Sequence, residues 1–294
     1  MARDPTGTGK LRSRFRADTR KKLTELLALV EAVLVTNDLL GLRPFEHPLA
    51  FVLFPGGGDR QAKLRTFSDW FNSVVYATLL AGGGLWMLRH LEDAYAAGVA
   101  AIARNIVNAP AAGPMERFLL ERAVHDLEGI ADATVARATR VVADELAERN
   151  FVASRIARAV NREVRDTATN RLIALANTSI VQANNAGRIA EIRATGASVV
   201  GIVPETLPVL LGAAAIGLAG AERVLRRRRA KIITAGDDRV CDECDALARG
   251  GPYDVADAEA MLPVHPNCRC AFVLVEDLEA ARRELQRRGI TPRI

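Results

Sequence analysis

Residues 152–194 read VASRIARAVNREVRDTATNRLIALANTSIVQANNAGRIAEIRA and contain no proline. Apolar residues recur every four positions through the first half of this run, at Val152, Ile156, Val160, Val164, Ala168 and Leu172. In a helix of 3.6 residues per turn this spacing produces one apolar stripe. The run therefore predicts a single long helix that continues to about Ala194, with Gly196 as its C-cap.

The residues before this run carry further helical patterns. Apolar residues at steps of three or four predict a preceding long helix, and they are Leu120, Val124, Leu127, Ala131, Val135, Ala138, Val142 and Leu146. Asn150 separates the two long helices. Three earlier helices are predicted over 10–40, 61–81 and 85–107, and the glycine triplet 82–84 joins the last two.

Beyond Gly196 the pattern changes to short runs rich in β-branched residues, at 199–203, 231–234 and 271–275. An insertion, 204–230, lies between the first two, and a short charged helix is predicted over 276–288. We therefore expect a mainly α protein. An elongated helical body over 1–195 should be followed by a small α+β module over 196–294 that carries a cysteine/histidine metal knuckle.

The composition sets broad limits on the function. Hydrophobic residues make up 49% of the 294 residues, but aromatic residues only 5%, which favours helices with small aliphatic contacts over an aromatic-rich β-sandwich. Because the N-terminus is polar, no secretory signal is expected. The uncharged stretch 70–88 is interrupted by polar residues and the glycine triplet, so no membrane span is expected.

All four cysteines lie within thirty positions near the C-terminus. Cys241 and Cys244 have the Cys-x2-Cys spacing that lets one turn present two thiolates to one ion, and His265, Cys268 and Cys270 follow twenty residues later. Five candidate ligands thus compete for four positions. Four cysteines with His265 outside the coordination shell, or three cysteines with His265, both remain open. The chemistry favours structural zinc, and disulfides in a mature extracellular particle are the alternative.

The sequence around these residues resembles a known family. Residues 234–244 read TAGDDRVCDEC and residues 262–270 read LPVHPNCRC. Together they resemble the C-terminal domain of the Mu F-like phage head-morphogenesis family, over about 231–275. Residues 182–188, QANNAGR, resemble the Asn-rich helix of that family. Ile232 and Ile233 stand where the family often has a tryptophan, and the insertion 204–230 is longer than expected.

The resemblance implies a minor head protein, which is a virion component with a role in viral assembly and no enzymatic activity. The implied partners are the portal protein and the major capsid or scaffold protein, and packaged DNA is a further candidate. The implied location is the head interior or the vicinity of the portal, with the host cytoplasm as the place of assembly. No small-molecule substrate is expected.

Two basic segments are candidates for contact with DNA or a partner. Residues 1–30 carry eight basic residues against three acidic ones. The second segment comprises Arg223, Arg226, Arg227, Arg228, Arg229 and Lys231. A solvated loop face is an equally good interpretation of the second segment.

Two other functional classes are alternative interpretations of the cysteine site. A zinc-ribbon nucleic-acid-binding protein would need stacking side chains near the cysteines, and Tyr253 and Phe272 are the only aromatic residues of the module. A metal-dependent hydrolase would need an open metal position. Asp237, Asp238 and Glu243 are candidate acids for it, but a turn and an exposed surface explain them more simply.

Overall fold

The computed structural model describes residues 6–42, 59–103, 116–194, 229–233, 240–250, 253–254 and 261–275. The chain divides into two compact units. We call Arg12–Arg89 with Leu120–Asn177 the helical unit, and Met1–Leu11, His90–Leu119 and Thr178–Ile294 the C-terminal unit. This division cuts through the long helices, whereas the domains predicted from sequence meet at residue 195, where the composition changes.

Five long helices account for most of the described residues. Their bounds are α1 Gly9–Glu31, α2 Arg60–Leu79, α3 Leu85–Ala103, α4 Glu116–Ala147 and α5 Ala153–Ala194. A π-helical turn, Ala32–Thr36, extends α1. The prediction of a mainly α fold, with a helical body followed by a small module that holds the Cys/His cluster, is confirmed.

Aromatic side chains form part of the core of the helical unit. Phe67 and Phe71 are one helical turn apart on α2, and their rings stack with centroids 5.3 Å apart. Phe15 of α1 meets Trp86 of α3 edge-on at 5.6 Å. The indole N–H of the half-buried Trp86 donates to the carbonyl of Leu79 at 2.8 Å, so this polar group is satisfied.

The buried face of α4 and the start of α5 differ in detail from the predicted stripes. Leu120, Val124 and Val135 are only half-buried, and Val152 is 44% exposed while Phe151 is buried. Thr134 occupies a core position instead of Val135. Its hydroxyl donates to the carbonyl of Ile130 at 2.7 Å, which satisfies the polar group within the helix.

The glycine triplet forms a tight left-handed connection between α2 and α3. Gly82, Gly83 and Gly84 have φ of 61°, 65° and 75°, which other residues adopt only with strain. A Cβ on Gly84 would also stand 2.7 Å from Cγ2 of Val124. The triplet therefore ends one helix and starts the next, as the sequence predicts.

One stretch of the described residues, Arg60–Ala103, is long and apolar enough to cross a membrane by length and composition. An apolar 18-residue segment within it is 28% buried. The stretch is not one continuous α-helix, since α2 ends at Leu79 and α3 begins at Leu85. A spanning helix takes about 20 consecutive apolar residues. The absence of a membrane span remains a prediction.

In the C-terminal unit, α3 and α5 touch backbone to backbone. A Cβ on Gly98 would stand 2.0 Å from the carbonyl oxygen of Asn184, and one on Gly187 would stand 2.1 Å from that of Tyr95. Glycine at both positions therefore permits the contact. Past Thr178, α5 is buried on most sides, and Asn184, Asn185, Arg188 and Glu191 are among its buried residues.

The described strands of the C-terminal unit form a small antiparallel sheet. Its strands are β1 Arg229–Ile233, β2 Tyr253–Asp254 and β3 Ala271–Val275, in the order β2-β1-β3. In the central strand, Ile232 pairs with Phe272 and Ile233 with Ala271. A short helix, α6 Asp242–Gly250, precedes β2. The second and third predicted strands are confirmed, whereas α6 and β2 were not predicted.

Four sequence predictions fall outside the described residues, wholly or in large part. They are the C-cap Gly196, the strand over 199–203, the insertion over 204–230 as far as residue 228, and the helix over 276–288. The strand β1 begins at Arg229, two residues before the predicted start, and so includes the last two residues of the predicted insertion.

Candidate metal centre

The first two cysteines lie at the N-terminus of α6. Cys241 immediately precedes the helix, and its carbonyl accepts a hydrogen bond from the N–H of Asp245 at 3.0 Å. Its Sγ accepts from the N–H of Cys244 at 3.4 Å, in the way that an N-cap side chain satisfies an unpaired helical N–H. The first helical turn therefore holds both sulfurs in place, where the sequence suggested only a tight turn.

The remaining candidate ligands lie in the segment that leads into β3. The N–H of Cys268 donates to the carbonyl of His265 at 3.1 Å, which closes a turn, and Asn267 within it has a left-handed φ of 64°. Cys268 and Cys270 are both buried, and Arg269 between them is half-buried. The two cysteines thus share one side of the chain, as their spacing predicts.

The structure brings all five predicted ligands into two groups of three that share Cys244. Cys241, Cys244 and His265 form one group, and Cys244, Cys268 and Cys270 form the other. Within each group the ligand atoms lie within 4.8 Å of one another. These groups can hold a metal ion, and Cys244 is central to both.

Two distances describe the surroundings of the Cys244 sulfur. Its Sγ is 3.9 Å from Sγ of Cys268 and 3.2 Å from Nε2 of His265. With Zn–S bonds of about 2.3 Å, two sulfurs of a tetrahedral zinc lie about 3.8 Å apart. The spacing between Cys244 and Cys268 matches that value. All four cysteines are free thiols in this structure.

The histidine presents the nitrogen that a metal needs. Nδ1 of His265 lies 2.8 Å from the carbonyl oxygen of Pro266, which can only accept, so Nδ1 carries the proton. Nε2 is then unprotonated in the neutral ring and faces Cys244. The hydrogen bond to Pro266 also raises the pKa of His265. A backbone carbonyl that fixes the ligating tautomer is common at metal sites.

The thiols affect one another strongly. The Cys270 thiol donates to Cys268 and lowers the pKa of Cys268 to about 5, and the same bond raises the pKa of Cys270. Burial raises the pKa of Cys244 to about 12. The N–H of Cys244 lowers the pKa of Cys241. Several thiolates can coexist in so small a volume only when a cation compensates their charge, so the donor set suits a metal ion.

An apolar shell surrounds the sulfurs. Ile189 of α5, Leu262 and Phe272 are buried in one cluster with Cys244, Cys268 and Cys270. Partly buried residues pack against this cluster, namely Val240, Cys241, Leu247, Ala248, Tyr253, Met261 and Val264. The hydroxyl of Tyr253 donates to the carbonyl of Leu247 at 2.7 Å. The aromatic residues of the module therefore serve its packing.

Helix α5 contacts the backbone around the second set of ligands. The hydroxyl of Thr178 accepts from the N–H of Asn267 at 3.0 Å. The amide of Asn185 donates to the carbonyl of Cys270 at 2.9 Å and accepts from the N–H of Phe272 at 3.2 Å. The guanidinium of Arg188 donates to the carbonyl of Phe272 at 2.8 Å. Asn185 and Arg188 belong to the stretch 182–188 that resembles an Asn-rich helix, but the sequence did not indicate their contacts with the ligand segment.

A second layer of hydrogen bonds connects Arg188 to α3. Nε of Arg188 donates to the side-chain oxygen of Asn184 at 3.0 Å, and the amide nitrogen of Asn184 donates to the carbonyl of Ala94 at 3.2 Å. The signal available in the sequence was the run of asparagine and arginine inside an otherwise buried helix. Buried polar groups of this kind are costly unless paired.

The basic segment is described only in part. Arg223, Arg226, Arg227 and Arg228 lie outside the described residues. Arg229 and Lys231 belong to β1, where their backbones pair with Val275 and Val273 of β3. These two positions are therefore strand rather than loop. Of the acids weighed for a hydrolytic site, Asp237 and Asp238 lie outside the described residues and Glu243 is exposed.

Comparison of the chain with family models, with curated proteins and with solved structures finds no match.

Proposed function

We propose that the protein is a minor head component of a phage, which assembles with the portal protein and the major capsid or scaffold protein. One observation carries this proposal: the five residues of the motif that resembles the Mu F-like family converge on one cluster around Cys244. The resembling residues are thus spatial neighbours, as a genuine motif requires. The protein would act in the host cytoplasm during assembly and remain in the virion.

We further propose that the cluster holds one structural zinc ion through four of its five candidate ligands. Thiolate and imidazole donors suit zinc, and a closed set leaves no position for water or substrate. The zinc would hold the N-terminus of α6 against the segment entering β3. This role is structural, so the protein is not proposed to be an enzyme.

Gene order and assembly test the head proposal together. A portal gene upstream and scaffold or capsid genes downstream are expected. Co-expression with the neighbouring portal protein should give a complex of defined mass by native mass spectrometry. The double variant Cys241→Ser with Cys244→Ser tests whether the C-terminal module forms the contact, in which case this variant should lose the complex. A chain that has no such neighbours and makes no complex with a portal would overturn the proposal.

A further inference from the structure

Three polar residues of α5 bond directly to the chain that carries Cys268 and Cys270. Thr178, Asn185 and Arg188 are spaced by seven and three residues, so they lie along one side of the helix. Between them they bond to the backbone of Asn267, Cys270 and Phe272. Both ends of this segment are therefore held by a helix that contributes no metal ligand.

Asn185 makes the most specific of these contacts. Its side-chain amide bonds to the carbonyl of Cys270 and to the N–H of Phe272, which is the pairing that a neighbouring strand would offer. The residue is 2% exposed, so water cannot replace either bond without opening the packing. The amide thus fixes the position at which the Cys268–Cys270 segment turns into β3.

We propose that Asn185 is a positioning residue that sets the affinity of the cluster for zinc. Thr178 has the same role at the other end of the ligand segment, where it bonds to Asn267. The proposal builds on the proposed metal centre. A preformed ligand segment loses less conformational freedom when the ion binds, so the ion binds more tightly. Groups that orient metal ligands typically contribute about 10- to 100-fold in metal affinity.

The same contacts couple the metal to the crossing of α3 and α5. Arg188 bonds both to Phe272 and to Asn184, and Asn184 bonds to Ala94 of α3. A helix that stabilises the bound site must in turn be stabilised by the bound ion, because such coupling is reciprocal. Zinc should therefore increase the order of α3 and α5 as well as that of its own ligands.

The test is zinc affinity in the full-length protein, measured by competition with a chromophoric chelator. Asn185→Ala should weaken zinc binding by about tenfold or more. Asn170→Ala, at an exposed position of the same helix, should leave it unchanged. Thr178→Val removes the acceptor for Asn267 and should also weaken binding, whereas Thr178→Ser keeps the hydroxyl and should restore it.

Each outcome decides between the proposals. Equal affinity in the wild type and Asn185→Ala would overturn the positioning role and leave the metal centre in place. A wild-type protein that binds no zinc would overturn the metal centre itself. If Asn185→Ala does not fold, the Thr178 pair decides. Weakening by Thr178→Val with recovery in Thr178→Ser supports the role, and equal affinities of those two variants contradict it.

Discussion

The α-carbon of Gly98 lies so close to Asn184 that a Cβ there would stand 2.0 Å from the Asn184 carbonyl oxygen. The reciprocal contact, between Gly187 and the carbonyl of Tyr95, is equally tight at 2.1 Å. Both obstructing atoms belong to the backbone, which cannot rotate away as a side chain can. The two glycines therefore set the distance between α3 and α5, and with it the position of Asn184 and Asn185.

Gly98→Ala and Gly187→Ala should each lower the free energy of unfolding by about 3 kcal/mol, because a methyl group would push the helices apart. Gly129→Ala is the matched control, since no atom lies within 4 Å of a Cβ at that helical position. It should raise the free energy of unfolding by about 0.5–1 kcal/mol. Urea denaturation of the three variants measures both effects. Similar values for Gly98→Ala and Gly129→Ala would contradict the close contact.

Cys244→Ser should abolish zinc binding, because Cys244 belongs to both ligand groups. Single substitutions of the other four candidates, Cys241→Ser, His265→Ala, Cys268→Ser and Cys270→Ser, should abolish or weaken binding except at the one residue that is not a ligand. Metal content by mass spectrometry of the purified variants gives the answer. Full zinc content in Cys244→Ser would rule out a site centred on this thiol.

Removal of zinc by a chelator should expose amides well beyond the ligands themselves. Hydrogen exchange should accelerate in α6, in β3 and in the part of α5 after Thr178, since these segments pack together around the cysteines. Helix α2 of the helical unit provides the internal control, and its protection at Phe67 and Phe71 should stay constant. Uniform loss of protection in both units would instead mean that the whole chain unfolds without metal.

Glu191 should make the protein less stable as the pH rises. Its side chain is 1% exposed, neither carboxylate oxygen has a hydrogen-bond partner among the described residues, and burial raises its pKa above 4.5. The folded protein then holds the proton more tightly than the unfolded chain. Stability is fully present below about pH 4.5 and declines as the pH rises through the raised pKa.

Glu191→Gln should therefore increase the melting temperature at pH 7 and reduce this decline. Glu148→Gln replaces an exposed glutamate that directly follows α4 and serves as the control. Thermal unfolding from pH 4 to pH 8 follows both variants. A Glu191→Gln protein with the wild-type pH profile would mean that this carboxyl does not change its protonation on folding.

Binding of DNA, if packaged DNA is a partner, should weaken steeply with salt. Three basic residues are exposed on α1, namely Arg14, Arg20 and Lys21. A variant with glutamine at all three positions should reduce the slope of log affinity against log salt by about one per lost phosphate contact. A second triple variant of Arg226, Arg227 and Arg228 tests the other basic segment. Arg249→Gln is the control, because Arg249 already pairs with Asp245. Fluorescence anisotropy with duplex DNA that finds no slope change in either triple variant would argue against both segments.

Much of the fold could be predicted because the apolar periodicity is strong. The end of α4, the bounds of α5 and the glycine break at 82–84 agree with the sequence pattern. The errors arise where two adjacent residues compete for one core position. Phe151 is buried in place of Val152, because its ring offers more apolar surface. Thr134 is buried in place of Val135, because its hydroxyl is satisfied by a hydrogen bond within the helix.

The ligands of the candidate site could be predicted from residue type and spacing, whereas their supports could not. Cys-x2-Cys is a local pattern, but the contact of Asn185 with Cys270 joins residues 85 positions apart. The periodicity of the sequence does not indicate whether Asn184 or Asn185 faces the backbone at Cys270. The short helix α6 was also missed, because its nine residues overlap the Cys-x2-Cys pair, which by itself indicates only a tight turn.

The separation between Asn185 and Cys270 has a consequence for how the protein is made. At a synthesis rate of about 5–20 residues per second, the ribosome needs about 4–17 s to add the 85 residues that follow Asn185 up to and including Cys270. During that interval Asn185 and Arg188 have been made, but the backbone that later pairs with them has not. Until β3 has been made, this end of the helix is therefore open to chaperones and proteases without the backbone that later pairs with it.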